Sequence, residues 1–138
     1  MNYRKNQAGE TFFQPILMQF AARQFGISYR KFYLDHQALV DANVHCLEVL
    51  EMDAVSLISD PYREAEAFGA RFDYPEGFVP KCTHYPIKTL ADIKALKNPD
   101  VYRAKRTRDR IDGATVYRKR LEHAIPVIGW IEGPLAEA

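Results

Sequence analysis

The segment that most constrains the fold of this chain is residues 52–69, where a buried strand leads directly into a short helix. Ala54–Ile58 is an apolar run rich in β-branched residues, which is typical of a parallel strand covered on both faces. Ser59 and Asp60 end this run, and a helix is predicted over 63–68. A hydroxyl and a carboxylate therefore follow the carboxyl end of a buried strand, which is where α/β folds bind their ligands.

The residues before this segment predict a strand and two helices. A strand is predicted over 13–20, with its proline near the start, and a short helix over 28–32 capped by a serine. Asp35 then caps a longer helix that runs to about residue 51, with apolar residues at helical spacing on one face. A strand, a helix and a strand in succession are typical of the βαβ unit of parallel sheets.

The residues after this segment alternate between breaks and regular elements. Glycines and prolines over 70–86 predict an irregular connection, and a Thr-x-x-Asp capping pair opens a helix over 89–97. A longer helix is predicted over 101–123, a third strand over 124–131, and the opening of another helix over 135–138. The pattern as a whole predicts an α/β fold.

Composition limits the class of protein. The chain has 138 residues, 47% of them hydrophobic, and a net charge of +1, which argues against a disordered chain and against global attraction to nucleic acid. No apolar run is long enough to span a membrane, no secretory signal is apparent, and the two cysteines lie far apart. We therefore expect a cytoplasmic protein without membrane or nucleic-acid partners, organised as a polar tail over 1–12 and one domain over 13–138.

A charge-rich segment over 103–120 allows two interpretations. It could contact phosphate or nucleic acid, or it could be the solvated side of an outer helix. No aromatic stacking platform accompanies it, which favours the second interpretation. In that case the inward residues are Ala104, Ile111, Ala114 and Leu121.

The residues alone do not identify a reaction. Cys82 and His84 lie two residues apart, but a metal site needs three or four ligands and no second pair has suitable spacing, so no metal site is predicted. Glycine-rich phosphate loops and nucleophile elbows are missing from the sequence. Asp60 is as well explained by a helix N-cap as by a catalytic role.

Three motifs resemble one enzyme superfamily. SLISDPYREAEAFGA over 56–70, YPEGFVP over 74–80 and PVIGWIEGPLAEA over 126–138 are similar to the uroporphyrinogen decarboxylase superfamily, which also contains zinc- and corrinoid-dependent methyltransferases. The similarity begins at about Phe13 and keeps the order and spacing of the motifs. It implies the amino-terminal portion, about three βα units, of a TIM (β/α)₈ barrel that ends early.

The resemblance also implies site residues. Asp60 matches the aspartate that binds pyrrole NH groups in the decarboxylases and is the expected catalytic residue. Ser59, Glu132, Gly133 and Arg23 are the expected substrate-binding residues, and we predict that Glu132 and Gly133 share a pocket with Asp60. The decarboxylases hold substrate carboxylates with two arginines after the first strand, whereas residues 18–24 contain only Arg23.

That departure, together with the match over 129–137, favours the methyltransferase branch. Its zinc ligands lie in the later half of the barrel, so the resemblance implies corrinoid and zinc for a full-length relative and no cofactor within this chain. The expected partner is a corrinoid protein or a tetrapyrrole ligand, with self-association or a complementary barrel half. A tetrapyrrole decarboxylase and a non-catalytic remnant or assembly domain are the alternatives, and the chain alone is expected to be inactive.

Overall fold

Residues 11–133, which the computed structural model describes, form six helices and four short strands. In chain order they are α1 (Gln19–Phe25), α2 (Tyr29–Leu34), α3 (His36–Val49), β1 (Val55–Ser56), α4 (Arg63–Ala67), β2 (Arg71–Asp73), β3 (Lys81–His84), α5 (Leu90–Ala95), α6 (Lys105–Leu121) and β4 (Val127–Ile128). The helix predicted over 135–138 and most of the predicted polar tail lie outside the described residues. None of the helices described is both long and apolar enough to cross a bilayer.

The parallel pairing of β1 with β4 confirms two of the three predicted strands. Val55 lies opposite Val127, and the Leu57 amide donates to the carbonyl of Ile128 at 3.2 Å. Residues 52–60 are all buried, as expected for a strand with both faces covered. Both strands are shorter than predicted, and these two are the parallel strands present between residues 11 and 133.

Helix caps occur where the sequence predicts them. The Ser28 hydroxyl accepts from the Lys31 amide at 3.2 Å at the start of α2, and the Asp35 carboxylate caps α3 through the Gln37 amide at 2.9 Å. The Thr89 and Asp92 side chains form a reciprocal capping box at α5. Buried residues of α1, α2 and α3 pack together on the β1 side of the fold and form most of the hydrophobic core.

The strand predicted over 13–20 is wrong. Residues 11–17 have no regular structure, although Phe13 aligns with the chain before β1: the Asp53 amide donates to its carbonyl at 2.9 Å, and its own amide donates to the Asp53 carboxylate at 2.7 Å. The chain then turns into α1, which buries Ala21 and Ala22 completely. Helix propensity and the burial of two alanines outweigh the β-like composition here.

The irregular connection predicted over 70–86 is confirmed for residues 74–80 but wrong for the residues on either side, because β2 and β3 form an antiparallel hairpin. Most of the prolines and glycines that suggested irregular structure lie between the two strands. The hairpin is held against α2, where the Tyr33 hydroxyl donates to the carbonyl of Pro75 at 2.7 Å and the Arg30 amide donates to that of Glu76 at 3.1 Å. Tertiary contacts therefore order a segment whose local signals are weak.

The inward side of α6 differs from the prediction. Leu121 is buried, but Ala104, Ile111 and Ala114 are only half-buried. The fully inward positions of the helix are Arg106, Arg110, Gly113, Tyr117 and Leu121. Two arginines thus face the interior of the protein, so the charges of this segment do not all lie on its solvated side.

A buried carboxylate–arginine pair as the candidate functional site

The carboxylate of Asp60, just beyond β1, is completely buried and accepts four hydrogen bonds. Its Oδ1 accepts from Arg106 Nη1 at 3.0 Å and from the Tyr62 amide at 3.2 Å. Its Oδ2 accepts from Arg106 Nη2 at 2.5 Å and from the Ser59 hydroxyl at 2.7 Å. A carboxylate has about four lone-pair positions, so every acceptor position of Asp60 is occupied by the protein itself.

The guanidinium of Arg106 is held on several sides. Besides its two bonds to Asp60, its Nη2 donates to the carbonyl of Tyr33, near the end of α2, at 3.1 Å. The rings of Tyr33 and Tyr74 lie 5.8 Å and 5.6 Å from its central carbon, and a Glu66 oxygen lies 3.9 Å from Nη1. Arg106 is therefore fixed by charge, by hydrogen bonds and by cation–π contacts.

This pair keeps both partners charged at neutral pH. Burial by itself raises the pKa of Asp60, but the hydrogen bonds and charge of Arg106, with help from Ser59 and Arg63, bring the pKa below its usual value of 3.8. Burial lowers the pKa of Arg106, but its contacts with Asp60 outweigh this and raise it. Asp60 is therefore a fixed hydrogen-bond acceptor with no proton to give.

Arg63, at the start of α4, connects the ends of the two parallel strands. Its side chain is 1% exposed, and its Nη1 donates to the Ser59 hydroxyl at 3.0 Å and the Leu57 carbonyl at 3.3 Å. Its Nη2 donates to the Trp130 carbonyl beyond β4 at 3.3 Å. Because one cation bonds oxygens on both strand ends, it fixes their separation. Ser59 is also hydrogen-bonded within the protein, since its carbonyl accepts from the Tyr29 hydroxyl at 2.5 Å.

The other predicted site residues lie at the margins of this network. Glu132 is half-buried and accepts from the indole nitrogen of Trp130 at 2.8 Å, Gly133 is exposed, and Arg23 is exposed in the last turn of α1. Asp60 and Glu132, both described, are not hydrogen-bonded to each other, and Arg63 is the side chain that connects their two strand ends. A common pocket for Asp60, Glu132 and Gly133 stays a prediction.

The two arginines that organise the site are not predicted by the sequence analysis. Arg106 is distant from Asp60 along the chain, so no local motif joins them. The sequence does indicate this face of the helix. Its buried positions have the spacing of one continuous helix face once arginine is accepted as an inward residue: they are positions 106, 110, 113, 117 and 121. Arg63 also lies on the first turn of a helix that follows the strand end.

A third inward arginine, Arg110, is only partly paired. Its side chain is 9% exposed, and its Nη2 donates to the adjacent carboxylate of Asp109 and weakly to the Tyr33 carbonyl at 3.5 Å. Its Nε and Nη1 have no partner among residues 11–133. Burial, assisted by the charges of Arg63 and Arg106, lowers its pKa. Asp109 also accepts from the His36 amide at 3.0 Å, which ties α6 to the start of α3.

Metal ligands do not converge anywhere between residues 11 and 133: no three side chains of the His, Cys, Asp or Glu type lie close enough to hold an ion. Cys46 is buried in the core. Cys82 lies on the hairpin, and its thiol donates a hydrogen bond to the carbonyl of His84 at 3.4 Å. The described residues therefore do not fit a zinc centre, which needs at least three protein ligands.

A cleft of about 270 Å³ lies between α4 and the residues leading into α6. It is lined by Glu64, Ala67, Phe68, Asn98, Pro99, Val101 and Thr107. Neither Asp60 nor Arg106 contributes to it, and its surface is mostly apolar. The cleft is therefore separate from the buried pair.

Comparison with known families identifies the family to which this chain belongs. The family model described as uroporphyrinogen decarboxylase (URO-D) matches residues 11–138. The chain belongs to the uroporphyrinogen decarboxylase family. The resemblance carried by the three sequence motifs is thereby confirmed, and family membership implies the TIM-barrel fold. Residues 11–133 contain two parallel strands of such a fold and no closed barrel.

Curated relatives of this family member are decarboxylases. Uroporphyrinogen decarboxylase from Hamiltonella defensa is 33% identical over 98 residues, which cover 71% of this chain and 27% of that protein. Uroporphyrinogen decarboxylase from Xylella fastidiosa is 29% identical over 114 residues, covering 83% of this chain and 31% of that protein. The chain thus spans between a quarter and a third of the length of these relatives.

A solved structure extends the comparison to the other branch. A methyltransferase from Methanosarcina mazei superposes with a TM-score of 0.76, at 17% identity, over 87% of this chain and 36% of that one. At so low an identity the match establishes the fold and leaves the reaction open. The strand-end position of Asp60 in this URO-D family chain is nevertheless the place where barrel enzymes carry out their chemistry.

Proposed function

We propose that this URO-D family chain is the amino-terminal part of a corrinoid-linked methyltransferase, which moves a methyl group from a methylcorrinoid to a thiol or folate acceptor. The observation that carries the proposal is that the arginines at the strand ends are used by the protein itself. Arg106 is bound to Asp60, and Arg63 is bound to Ser59 and two backbone carbonyls. The two terminal nitrogens of each arginine bond to acceptors within the protein.

Because these arginines bond to the protein itself, their charges limit which class of substrate the site can bind. A uroporphyrinogen carries many carboxylates, and their recognition requires arginines that can form bidentate contacts. The helix that follows the first extended segment offers only Arg23, a single exposed cation. A methyl-transfer site has no such requirement, and the fold likeness to the Methanosarcina mazei methyltransferase supports this branch.

Two observations favour other functions. The curated relatives are named uroporphyrinogen decarboxylase, at 29–33% identity, which favours a tetrapyrrole decarboxylase in which Asp60 accepts pyrrole N–H groups. Four hydrogen bonds already made by that carboxylate weigh against this role. A non-catalytic assembly domain is favoured by the internal contacts of Arg106 and Arg63, because both side chains bond to the protein itself.

In the proposed reaction, residues outside 11–133 would have to hold the cofactors. A bound methylcorrinoid supplies the methyl group, and zinc ligands for a thiol acceptor would have to come from other parts of the barrel, because the described residues do not fit a zinc site. In this proposal the described residues of the chain have a structural role. Asp60, Arg106 and Arg63 hold the two strand ends in place.

The test is a pair of assays on the protein that carries this chain, or on the chain combined with a complementary barrel half. Methylcobalamin demethylation with a thiol or folate acceptor is followed by its visible absorption, and uroporphyrinogen decarboxylation by release of carbon dioxide. Demethylation without carbon dioxide release supports the proposal, and the converse result assigns the decarboxylase function. Activity in neither assay, with a folded protein and both halves present, favours the assembly domain.

Arg23→Gln provides a discriminating variant, with Arg118→Gln, another exposed arginine but on α6, as its control. If the substrate is a polycarboxylate, loss of Arg23 should raise KM several-fold. If the substrate is a methylcorrinoid, both variants should match the parent protein.

A further inference from the structure

We infer that Arg106 is an internal ligand of Asp60, a specificity-determining residue that occupies the position an external ligand with two adjacent N–H donors would take. The inference concerns recognition at the strand end, and its bearing on substrate choice rests on the proposed function. Its evidence is independent of activity, because it comes from the atoms around one carboxylate.

The geometry is that of a receptor with its ligand bound. Arg106 Nη1 faces Oδ1 at 3.0 Å and Nη2 faces Oδ2 at 2.5 Å, which is the two-point arrangement by which a carboxylate recognises any planar group with paired N–H donors. Ser59 and Tyr62 fill the remaining acceptor positions of Asp60. An amidine, a guanidine or two neighbouring pyrrole N–H groups would need the atoms that Arg106 already occupies.

Displacement of this internal ligand is unfavourable. Arg106 is 5% exposed, and its Nη2 also bonds the Tyr33 carbonyl while two tyrosine rings lie over its guanidinium. An external donor must therefore compete with a partner that is already oriented and desolvated, and that pays no entropy of association.

The consequence for substrate choice is a division between two kinds of macrocycle. A tetrapyrrole with free pyrrole nitrogens presents N–H donors and would need an open Asp60. A corrin whose nitrogens all bind cobalt presents none and loses nothing when Arg106 holds the carboxylate. The pair thus selects against the ligand class of the decarboxylases and leaves corrinoids unaffected.

The test is chemical complementation of the vacated position. Arg106→Ala should create a receptor for methylguanidinium, added as its chloride at 1–50 mM against equal concentrations of sodium chloride. We expect a saturable rise in melting temperature of about 3–5 °C at a tenfold excess over Kd, seen in this variant and missing from the parent chain. Arg108→Ala, in the same helix but with its guanidinium exposed, is the matched control and should not respond.

The double variant Asp60→Asn with Arg106→Ala removes the receptor and should abolish the response. Arg106→Gln is the companion variant in case the alanine variant does not fold unaided, and refolding in the presence of methylguanidinium would then be the positive result. Equal responses from the parent, Arg106→Ala and the double variant would overturn the inference. So would failure of both Arg106 variants to bind or to fold at any probe concentration. Each of these outcomes is separate from the activity assays and leaves the proposed methyl transfer to its own test.

Discussion

Replacing Asp60 by asparagine tests the central claim that this carboxylate holds the strand end together. The amide keeps one oxygen and puts an NH₂ group where Oδ1 or Oδ2 accepts two hydrogen bonds, so two donors of the site lose their acceptor. Arg106 is then left as a buried cation whose nearest carboxylate is that of Glu66, 3.9 Å away. Removing one partner of a buried ion pair costs about 3–5 kcal/mol, because the other charge stays desolvated.

A loss of that size is easily measured by urea unfolding at pH 7. With a slope of about 2 kcal/mol per molar urea, the midpoint should fall by about 1.5–2.5 M. Asp112→Asn is the matched control: Asp112 pairs with Arg108 at 2.9 Å on the exposed side of α6, and such surface pairs contribute less than about 1 kcal/mol. If Asp60→Asn unfolds within about 1 kcal/mol of the parent, the account of Asp60 as a buried anchor is refuted.

The same variant has a distinctive pH dependence. The pKa of Asp60 is lower in the folded protein than its usual value of 3.8, so its stabilisation is complete above about pH 4. That stabilisation is lost as the pH falls through the folded pKa, because the unfolded chain then binds a proton that the folded chain does not. The difference in unfolding free energy between the parent and Asp60→Asn should therefore shrink below pH 4 and stay constant between pH 5 and 8. A difference that grows on acidification would contradict this assignment.

Two further predictions concern stability. The Ser56 carbonyl accepts from the Tyr117 hydroxyl at 3.2 Å and from Asn43 Nδ2 at 3.3 Å. Tyr117→Phe should therefore lower the free energy of unfolding by about 1 kcal/mol, and the double variant with Asn43→Ala should lose about 1–3 kcal/mol more than the sum of the single variants, because the buried carbonyl then has neither partner. Additive losses in urea melts would contradict this. Thr89→Ala removes the α5 capping box and should increase amide exchange in that helix about fivefold without moving the global midpoint, because no residue of α5 is buried. A drop in the global midpoint would show that α5 is coupled to the core.

The features that the sequence predicts correctly are those whose physical causes lie within a few residues of each other. Caps such as Ser28, Asp35 and Thr89 act over three or four residues, so their chemistry is visible in the sequence and the structure confirms them. The strand before Asp60 was also predicted, because a short apolar run that is buried on both faces has few other solutions. The residue types of these segments nearly determine their conformation.

The missed features depend on contacts that are distant in sequence. The pairing of Asp60 with Arg106 joins the residues after β1 to the first turn of α6, far apart in sequence, and the usual template for an inward helix face expects an apolar residue at position 106. The segment over 13–20 has strand-like composition, but a strand needs a partner along its length, and Phe13 makes the only backbone pairing found for residues 11–17 with the chain before β1. The hairpin of β2 and β3 also contacts α2 through the residues that connect its strands, and this contact is distant in sequence.

The parallel pairing of β1 with β4 has a consequence for the order in which this chain folds. Three helices and a hairpin separate Val55 from Val127, so their pairing must wait for a long stretch of chain to be ordered. Contacts among α1, α2 and α3 close over short loops and gain their burial at once. We expect these three helices to form a compact early cluster and the β1–β4 ladder to close late, as the rate-limiting step. Substitutions at the ladder should then change the unfolding rate more than substitutions in α3, a division that kinetic refolding measurements can detect.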